Sequence, residues 1–235
     1  MNRPGDRIIG VLGGMGPLAG AWFMQRLVSL TPAQDDSEHV PAILVNDPRV
    51  PDRVAPILGR GADPLPAMLA GVTRLEAAGA GAVAIACNTA HRWHGEIASA
   101  TSLTVLDMVA AAVEELSSRP VTGPVGLLAT RGTVAAGIYQ RALAACGHEI
   151  LLATEELDRA CVLPAIAAVK AGAMEKAEKS AREAARQMQA AGAREILIAC
   201  TELSVCWPRD FRKASVDTCD ALARAALRWA GALPL

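Results

Sequence analysis

The 235-residue sequence is poor in aromatic residues, has almost no net charge and contains no apolar run long enough to span a membrane. Aromatic residues make up 3% of it, whereas 52% of the residues are hydrophobic. This composition favours helices of small residues packed on strands and disfavours a β-sandwich. The formal net charge of -1 provides no basic stripe, so we expect neither nucleic acid nor a membrane surface as a partner.

The cysteines are not arranged in the pairs that disulfide frameworks or zinc ribbons use. They lie at positions 87, 146, 161, 200, 206 and 219, without a C-x-x-C pair, so we expect free thiols. Cys87, His91 and His94 could be metal ligands, but no third thiolate or carboxylate cluster accompanies them, and we expect no metal. The N-terminal segment has no leader-like apolar stretch or cleavage site, so we expect a cytoplasmic protein.

Two stretches of the chain resemble each other. Residues 75–91 read LEAAGAGAVAIACNTAH, and residues 188–204 read MQAAGAREILIACTELS. A second pair agrees with the first, because residues 9–17 (IGVLGGMGP) correspond to residues 125–133 (VGLLATRGT). The sequence therefore predicts two similar halves, each built as strand, loop and helix with a cysteine at the end of an apolar strand.

The predicted fold is α/β, with two pseudo-symmetric, Rossmann-like domains and a site in the cleft between them. Each domain has a mostly parallel central sheet. Residues 117–124 have turn composition and precede the restart of the pattern, so they are the predicted linker. We expect an N-terminal half over residues 1–116, joined by the C-terminal helix of residues 215–235, and a C-terminal half over residues 117–214.

Cys87 and Cys200 occupy equivalent positions in the two repeats. Open α/β sheets bind ligands at the carboxyl ends of their strands, so a residue duplicated there lies on both sides of the ligand. Two acid/base groups on opposite faces of one carbon can invert its configuration, and cysteine serves as thiolate base or thiol acid. A turn at a helix N-terminus also lowers its pKa. A single cysteine after an apolar run is more often a buried small hydrophobe, but here both are followed by polar residues.

Two loops offer further candidates. Arg49 and Arg53 follow the second strand, where a guanidinium can clamp a carboxylate, although pairing with a neighbouring aspartate is an open alternative. The Gly14-x-Gly16 loop satisfies a dinucleotide fingerprint, which makes a nicotinamide-dependent oxidoreductase an alternative function. Against it, the candidate ribose-binding acid Asp47 lies 33 residues after Gly14, where about 20 is usual, and Pro17 removes an amide that a pyrophosphate would use.

Six motifs, in order, carry a resemblance to a known family: LGGMGP, NDPRVPDR with the following ILGRG, ACNTAH, LLATRGT, VKAG and ACTELS. They resemble the aspartate racemases of the cofactor-independent aspartate/glutamate racemase superfamily, over nearly the whole chain. The resemblance implies an isomerase with its active site between two α/β domains. It also implies a homodimer, no pyridoxal phosphate or other cofactor, no metal, and inversion of the α-carbon by two cysteines.

The resemblance also implies roles for individual residues. Cys87 and Cys200 are the implied proton donor/acceptor pair. Glu202 follows the second cysteine, and with Thr201 it mirrors Asn88 and Thr89. The implied substrate-binding positions are Asp52, Arg53, Asn88, Thr89, Ala90, Lys170 and Thr201.

Departures from the family pattern leave the substrate open. Val54 stands where relatives often carry a small hydroxyl residue, so the substrate could be aspartate, glutamate or a broader set of amino acids. Ala199 replaces a frequent glycine before the second cysteine, without removing a catalytic group. The superfamily also includes decarboxylases, but those with one catalytic cysteine would lack one of this pair. An amino-acid-binding protein without catalysis is a further alternative.

Overall fold

Two parallel four-stranded sheets form the framework of the protein in a computed structural model that describes residues 7–234. The first sheet contains β1 (Ile9–Gly13), β2 (Ala42–Asn46), β3 (Ala82–Ile85) and β4 (Thr104–Leu106), in the order β2-β1-β3-β4. The second contains β5 (Val125–Ala129), β6 (Ile150–Leu152), β7 (Glu195–Ala199) and β8 (Ser215–Asp217), in the order β6-β5-β7-β8. The predicted α/β fold with two similar halves is confirmed.

Helices cover both faces of the sheets, which explains why the central strands read as continuous apolar runs. All five residues of β1 and all five of β5 are buried, as is typical of parallel strands with two covered faces. The helices are α1 (Pro17–Leu30), α2 (Val54–Ile57), α3 (Leu65–Ala77), α4 (His94–Ser99), α5 (Met108–Ser117), α6 (Arg131–Ala136), α7 (Ile138–Ala145), α8 (Glu155–Leu157), α9 (Leu163–Lys170), α10 (Met174–Ala190), α11 (Thr201–Cys206) and α12 (Thr218–Ala230).

The two halves exchange their last helices. α5 follows β4 of the first sheet, but its Leu116 belongs to the buried cluster around Val125 of the second sheet. α12 follows β8 of the second sheet, but its Leu222 belongs to the cluster around Ile9 and Phe23 of the first half. An aspartate caps each of these helices, since Asp107 and Asp217 accept hydrogen bonds from backbone amides of the first turn.

This exchange bears on the predicted domains without deciding their boundaries. α12 lies against the first half, whereas β8 pairs with β7 in the second sheet. The predicted division of the chain at residues 116/117 and 214/215 stays a prediction. Residues 1–6, part of the segment in which we expect no leader, lie outside the described residues. Within residues 7–234, no helix combines the length and the apolar character that crossing a bilayer requires.

Candidate active site

Cys87 and Cys200 line the same cavity from opposite halves of the protein. Cys87 comes two residues after the end of β3, and Cys200 directly follows β7. Both thiols are buried, with 5% and 2% of each residue exposed. The cavity has a volume of about 370 Å³, its open mouth included. The two cysteines are equivalent in the sequence repeat, and they therefore also occupy equivalent positions around one cavity.

Most of the predicted site residues lie around this cavity. Asp52, Arg53, Asn88, Thr89, Lys170 and Thr201 line it together with the two cysteines. Ala90 does not; it is fully buried, and its backbone N–H is hydrogen-bonded to the sulfur of Cys87. The walls also contain residues to which the sequence analysis assigned no binding role: Met15, Val54, Thr130, Ile166 and Glu202.

Sequence signals for those further residues were uneven. Met15 and Thr130 lie in the second pair of matched segments, two residues after β1 and one residue after β5. Their place at the carboxyl end of a central parallel strand was a usable signal. Ile166 lies on α9 and had no such signal. Only the packing of α9 against the second sheet brings it to the cavity.

A backbone amide three residues after each cysteine points at its sulfur. Ala90 supplies the N–H for Cys87, and Leu203 supplies it for Cys200. The two amides belong to the first turns of a 3-10 segment (Thr89–Trp93) and of α11. An amide at a helix start favours a negative charge, so each hydrogen bond lowers the pKa of its thiol.

Burial nevertheless outweighs these amides, which corrects the expectation that the turns lower the pKa toward neutrality. Burial raises the pKa of Cys87 above its ordinary value, and the neighbouring guanidinium of Arg53 offsets part of that rise. Burial raises the pKa of Cys200 further, and the adjacent carboxylate of Glu202 adds to the rise. Both thiols therefore hold their protons at neutral pH, and Cys87 ionises more readily than Cys200.

Asn88 is held in place by hydroxyl groups from the other half of the chain. Its Oδ1 atom accepts hydrogen bonds from the hydroxyls of Tyr139 and Thr218, the latter at 3.0 Å. Burial raises the pKa of Tyr139 well above 10, so the phenol keeps its proton. The Nδ2 atom is buried and has no partner among the described residues, while Asn88 lines the cavity. An N–H donor is thus available to a ligand.

His91 holds the backbone of the first cysteine in place. Its Nε2 accepts a hydrogen bond from the backbone N–H of Met108 at 3.1 Å, so its Nδ1 carries the proton and donates to the carbonyl of Cys87 at 2.9 Å. Burial lowers the pKa of His91 to about 4, which keeps the ring neutral. Because both ring nitrogens contact the protein, neither is available to a metal. Residues 7–234 contain no cluster of three or more side chains suited to a metal ion.

The two loop arginines differ in their surroundings. Arg49 is exposed and forms a two-bond pair with Asp47, with both distances 2.8 Å, and it does not line the cavity. Arg53 lines the cavity, donates from Nη1 to the carbonyl of Pro51 at 2.9 Å, and forms no salt bridge among the described residues. The alternative of pairing with an aspartate therefore holds for Arg49, and Arg53 is the arginine in the cavity.

Packing within the protein accounts for the glycine that opens the candidate dinucleotide loop. Gly14 has a φ of 87°, and a Cβ there would lie 2.2 Å from the carbonyl oxygen of Asp47. A Cβ at Gly16 would lie 3.3 Å from Oε1 of Glu202. The positive φ and the backbone of Asp47 therefore require glycine at position 14, and no bound phosphate is needed to explain it.

Comparisons with known proteins agree with this geometry. The structure is similar to that of an aspartate racemase from Picrophilus torridus, with a TM-score of 0.86 and 30% identity over 96% of this chain and 94% of that one. It shares its fold with a glutamate racemase from Francisella tularensis subsp. tularensis SCHU S4 that was solved with D-glutamate. That similarity has a TM-score of 0.68 and 18% identity, and it covers 95% of this chain and 81% of that one.

Sequence comparisons point to the same group of enzymes. The chain is 29% identical over 148 residues to the broad specificity amino-acid racemase RacX of Bacillus subtilis (strain 168), an alignment that spans 61% of this chain and 63% of the relative. The Asp/Glu/hydantoin racemase family matches residues 12–226. Because that match extends over most of the sequence and confirms the resemblance seen in the motifs, the chain belongs to the Asp/Glu/hydantoin racemase family.

Proposed function

We propose that this protein interconverts L- and D-aspartate, with Cys87 and Cys200 as the two acid/base groups and without pyridoxal phosphate or a metal. The observation that carries the proposal is the placement of the two cysteines. They follow equivalent strands of two similar halves and line one cavity. A substrate α-carbon between them would have a sulfur on each face, as inversion requires.

The proton transfers balance without a further reagent. In one direction, the thiolate of Cys87 takes the α-proton and the thiol of Cys200 gives its proton to the opposite face of the carbanion. The products are the other enantiomer, a Cys87 thiol and a Cys200 thiolate. In the opposite direction the roles are exchanged. Arg53 favours the Cys87 thiolate, which makes that form the more accessible starting state.

Charges in the cavity suit the hard step, which is removal of a weakly acidic α-proton. Arg53 and Lys170 supply two cations for the two carboxylates of aspartate, and the Nδ2 atom of Asn88 supplies a neutral donor. Groups already aimed at the α-carboxylate stabilise the charge that spreads onto it in the carbanion, and burial strengthens the interaction. These residues together support a dicarboxylic amino acid as the substrate.

A broader substrate range is the second candidate, and three observations favour it. Val54 and Ile166 give the cavity an apolar wall. A second cavity of about 1100 Å³, its opening to solvent included, shares Asp52, Arg53, Lys170 and Glu202 with the first. That space could take a side chain longer than that of aspartate, such as glutamate. The relative RacX is named as a broad specificity racemase. The motif resemblance is also our basis for proposing a homodimer, and a cytoplasmic location stays a proposal.

Deuterium exchange tests the proposed function. The protein is incubated without added cofactor in deuterated water with L-aspartate or D-aspartate, while optical rotation and the α-proton NMR signal are followed. We expect both solutions to converge on the racemate with deuterium at the α-carbon. Cys87→Ala and Cys200→Ala should abolish racemisation. Cys146→Ala, which removes an exposed thiol outside the cavity, is the matched control and should retain it.

Two outcomes would count against the proposal. Wild-type turnover by the Cys87→Ala protein would exclude the two-cysteine mechanism. Absence of exchange with aspartate, together with exchange of glutamate or other amino acids in the same assay, would favour the second candidate. Calorimetry with NAD tests the oxidoreductase alternative, for which binding is the required result.

A further inference from the structure

Glu202 is a buried carboxylate in the wall of the cavity. It belongs to the first turn of α11, and 6% of the residue is exposed. Its Oε2 atom accepts hydrogen bonds from the thiol of Cys200 at 3.3 Å and from the hydroxyl of Thr201 at 3.4 Å. Within residues 7–234 it forms no salt bridge with a lysine or arginine. Burying a carboxylate without a cation is costly, so an unpaired one beside a cysteine requires a physical reason.

The other charged groups of the cavity do not supply that cation. Arg53 and Lys170 line the same space and, in the part of the chain that the structure describes, neither forms a salt bridge. Asp52, the remaining charged residue, is exposed, and its Oδ1 accepts a hydrogen bond from the backbone N–H of Ala55 at 2.6 Å. The cavity wall therefore presents the half-buried cation of Arg53, the exposed cation of Lys170 and the buried anion of Glu202, and no salt bridge joins them among the described residues.

We propose that Glu202 binds the protonated α-amino group of the substrate and thereby restricts the site to amino acids with a free ammonium group. This inference rests on the proposed function. An amino acid with two carboxylates and one ammonium is the charge complement of Arg53, Lys170 and Glu202.

Geometry places the ammonium at Glu202. In a two-base reaction the α-carbon lies between the two sulfur atoms, and the α-nitrogen is one bond away from it. Glu202 contacts the sulfur of Cys200, so its carboxylate lies at the α-carbon end of the substrate. The side-chain carboxylate of an extended substrate lies at the other end. Two anionic groups cannot share a buried position with a third anion, so among the substrate's charged groups only the ammonium suits Glu202.

Binding of an ammonium would also prepare Cys200 for catalysis. The negative charge of Glu202 opposes ionisation of Cys200 and raises its pKa. A cation on Glu202 offsets that charge, so Cys200 becomes able to act as a base when an amino acid is bound. An anionic ligand without an ammonium group would leave Cys200 protonated.

Paired ligands and a matched variant test this inference. Binding of aspartate and of succinate, which lacks the amino group, is measured by calorimetry for the wild type and for Glu202→Gln. The variant keeps a hydrogen-bond acceptor beside Cys200 but removes the charge. We expect the wild type to prefer aspartate, and the preference to fall at least about tenfold in the variant, mainly through weaker aspartate binding. Glu183→Gln, which changes an exposed carboxylate on α10, should leave the preference unchanged.

The outcomes separate this inference from the function on which it rests. Equal losses for aspartate and succinate, or an unchanged preference, would overturn the role of Glu202 even if the wild type exchanges deuterium into aspartate. Failure of the wild type to bind or exchange aspartate would instead refute aspartate as the substrate. A further test uses only the wild type, so its result does not depend on whether a variant folds. It should not racemise a 5-substituted hydantoin, whose corresponding nitrogen is an uncharged N–H, and turnover of one would contradict the inference.

Discussion

His91→Gln should change how the stability of the protein depends on pH. The neutral imidazole joins the carbonyl of Cys87 to the N–H of Met108, at the start of α5. Protonation would place a buried charge on the ring and would remove the acceptor that Met108 requires. Glutamine retains a polar side chain of similar reach, but it cannot titrate. The variant therefore loses the pH-dependent contribution of this one group.

The magnitude follows from the pKa. Burial lowers it from 6.5 to about 4, a difference that corresponds to about 3 kcal/mol between the charged and neutral forms. Between pH 6.5 and about pH 4, His91 is protonated in the unfolded chain but neutral in the folded chain. The contribution of His91 is thus fully present above pH 6.5 and is lost as the pH falls toward 4. Between pH 7.0 and pH 4.5 the wild type should lose about 2 kcal/mol more than the variant.

Urea unfolding at several pH values measures this difference. Asp217, whose pKa is raised to about 6 mainly by burial, titrates in the same range with the opposite sign. It is present in both proteins, so it cancels in the comparison. Met108→Leu changes a neighbouring buried side chain that does not titrate, and its destabilisation should be independent of pH. An equal stability gap between the wild type and His91→Gln at pH 7.0 and pH 4.5 would refute the reasoning.

Two further variants test other parts of the site. Arg53→Gln should raise KM for aspartate at least about tenfold through loss of a charged hydrogen bond. It should also move the acidic, ascending limb of the pH–rate profile to higher pH, because that limb reports ionisation of the base and Arg53 lowers the pKa of Cys87. A limb at the wild-type position would show that Arg53 does not assist ionisation of Cys87. Gly14→Ala should cost at least about 2 kcal/mol in thermal unfolding, since it adds a close contact with Asp47 to a backbone strain of about 1 kcal/mol. Gly147→Ala, with a φ of 77° and nothing within 4 Å of the new Cβ, should show the strain alone, and equal losses would contradict the contact.

Cys87 and Cys200 show which properties of the site local sequence predicts and which it does not. The repeat predicted that the two cysteines occupy equivalent places, and the cavity brings them together. Sequence did not predict their ionisation correctly. A turn at a helix start lowers the pKa of a thiol, but the cost of burying a thiolate depends on every atom that excludes water from it. That exclusion arises only when two halves of the chain close over the site.

The residues that hold Asn88 in place show a second limit of prediction from sequence. Asn88 accepts hydrogen bonds from Tyr139 and Thr218, which lie 51 and 130 residues away along the chain. No local pattern pairs these positions. Thr218 reaches Asn88 because α12 crosses from the second sheet to the first half. There the apolar residues of α12 and β1 belong to one buried cluster.

Local periodicity and short motifs encode the α/β class, the twofold repeat, the equivalence of the two cysteines and the family, so the amino-acid order was enough to predict them. Which charges face one another became clear only from the folded structure. Arg49 and Arg53 have similar sequence surroundings, yet the first pairs with Asp47 at the surface and the second enters the cavity. Glu202 likewise follows a cysteine in an ordinary helix start, and its isolation from cations depends on where distant loops lie. Electrostatic interactions act through space between groups far apart in the chain, so they can be assigned only after the chain has folded.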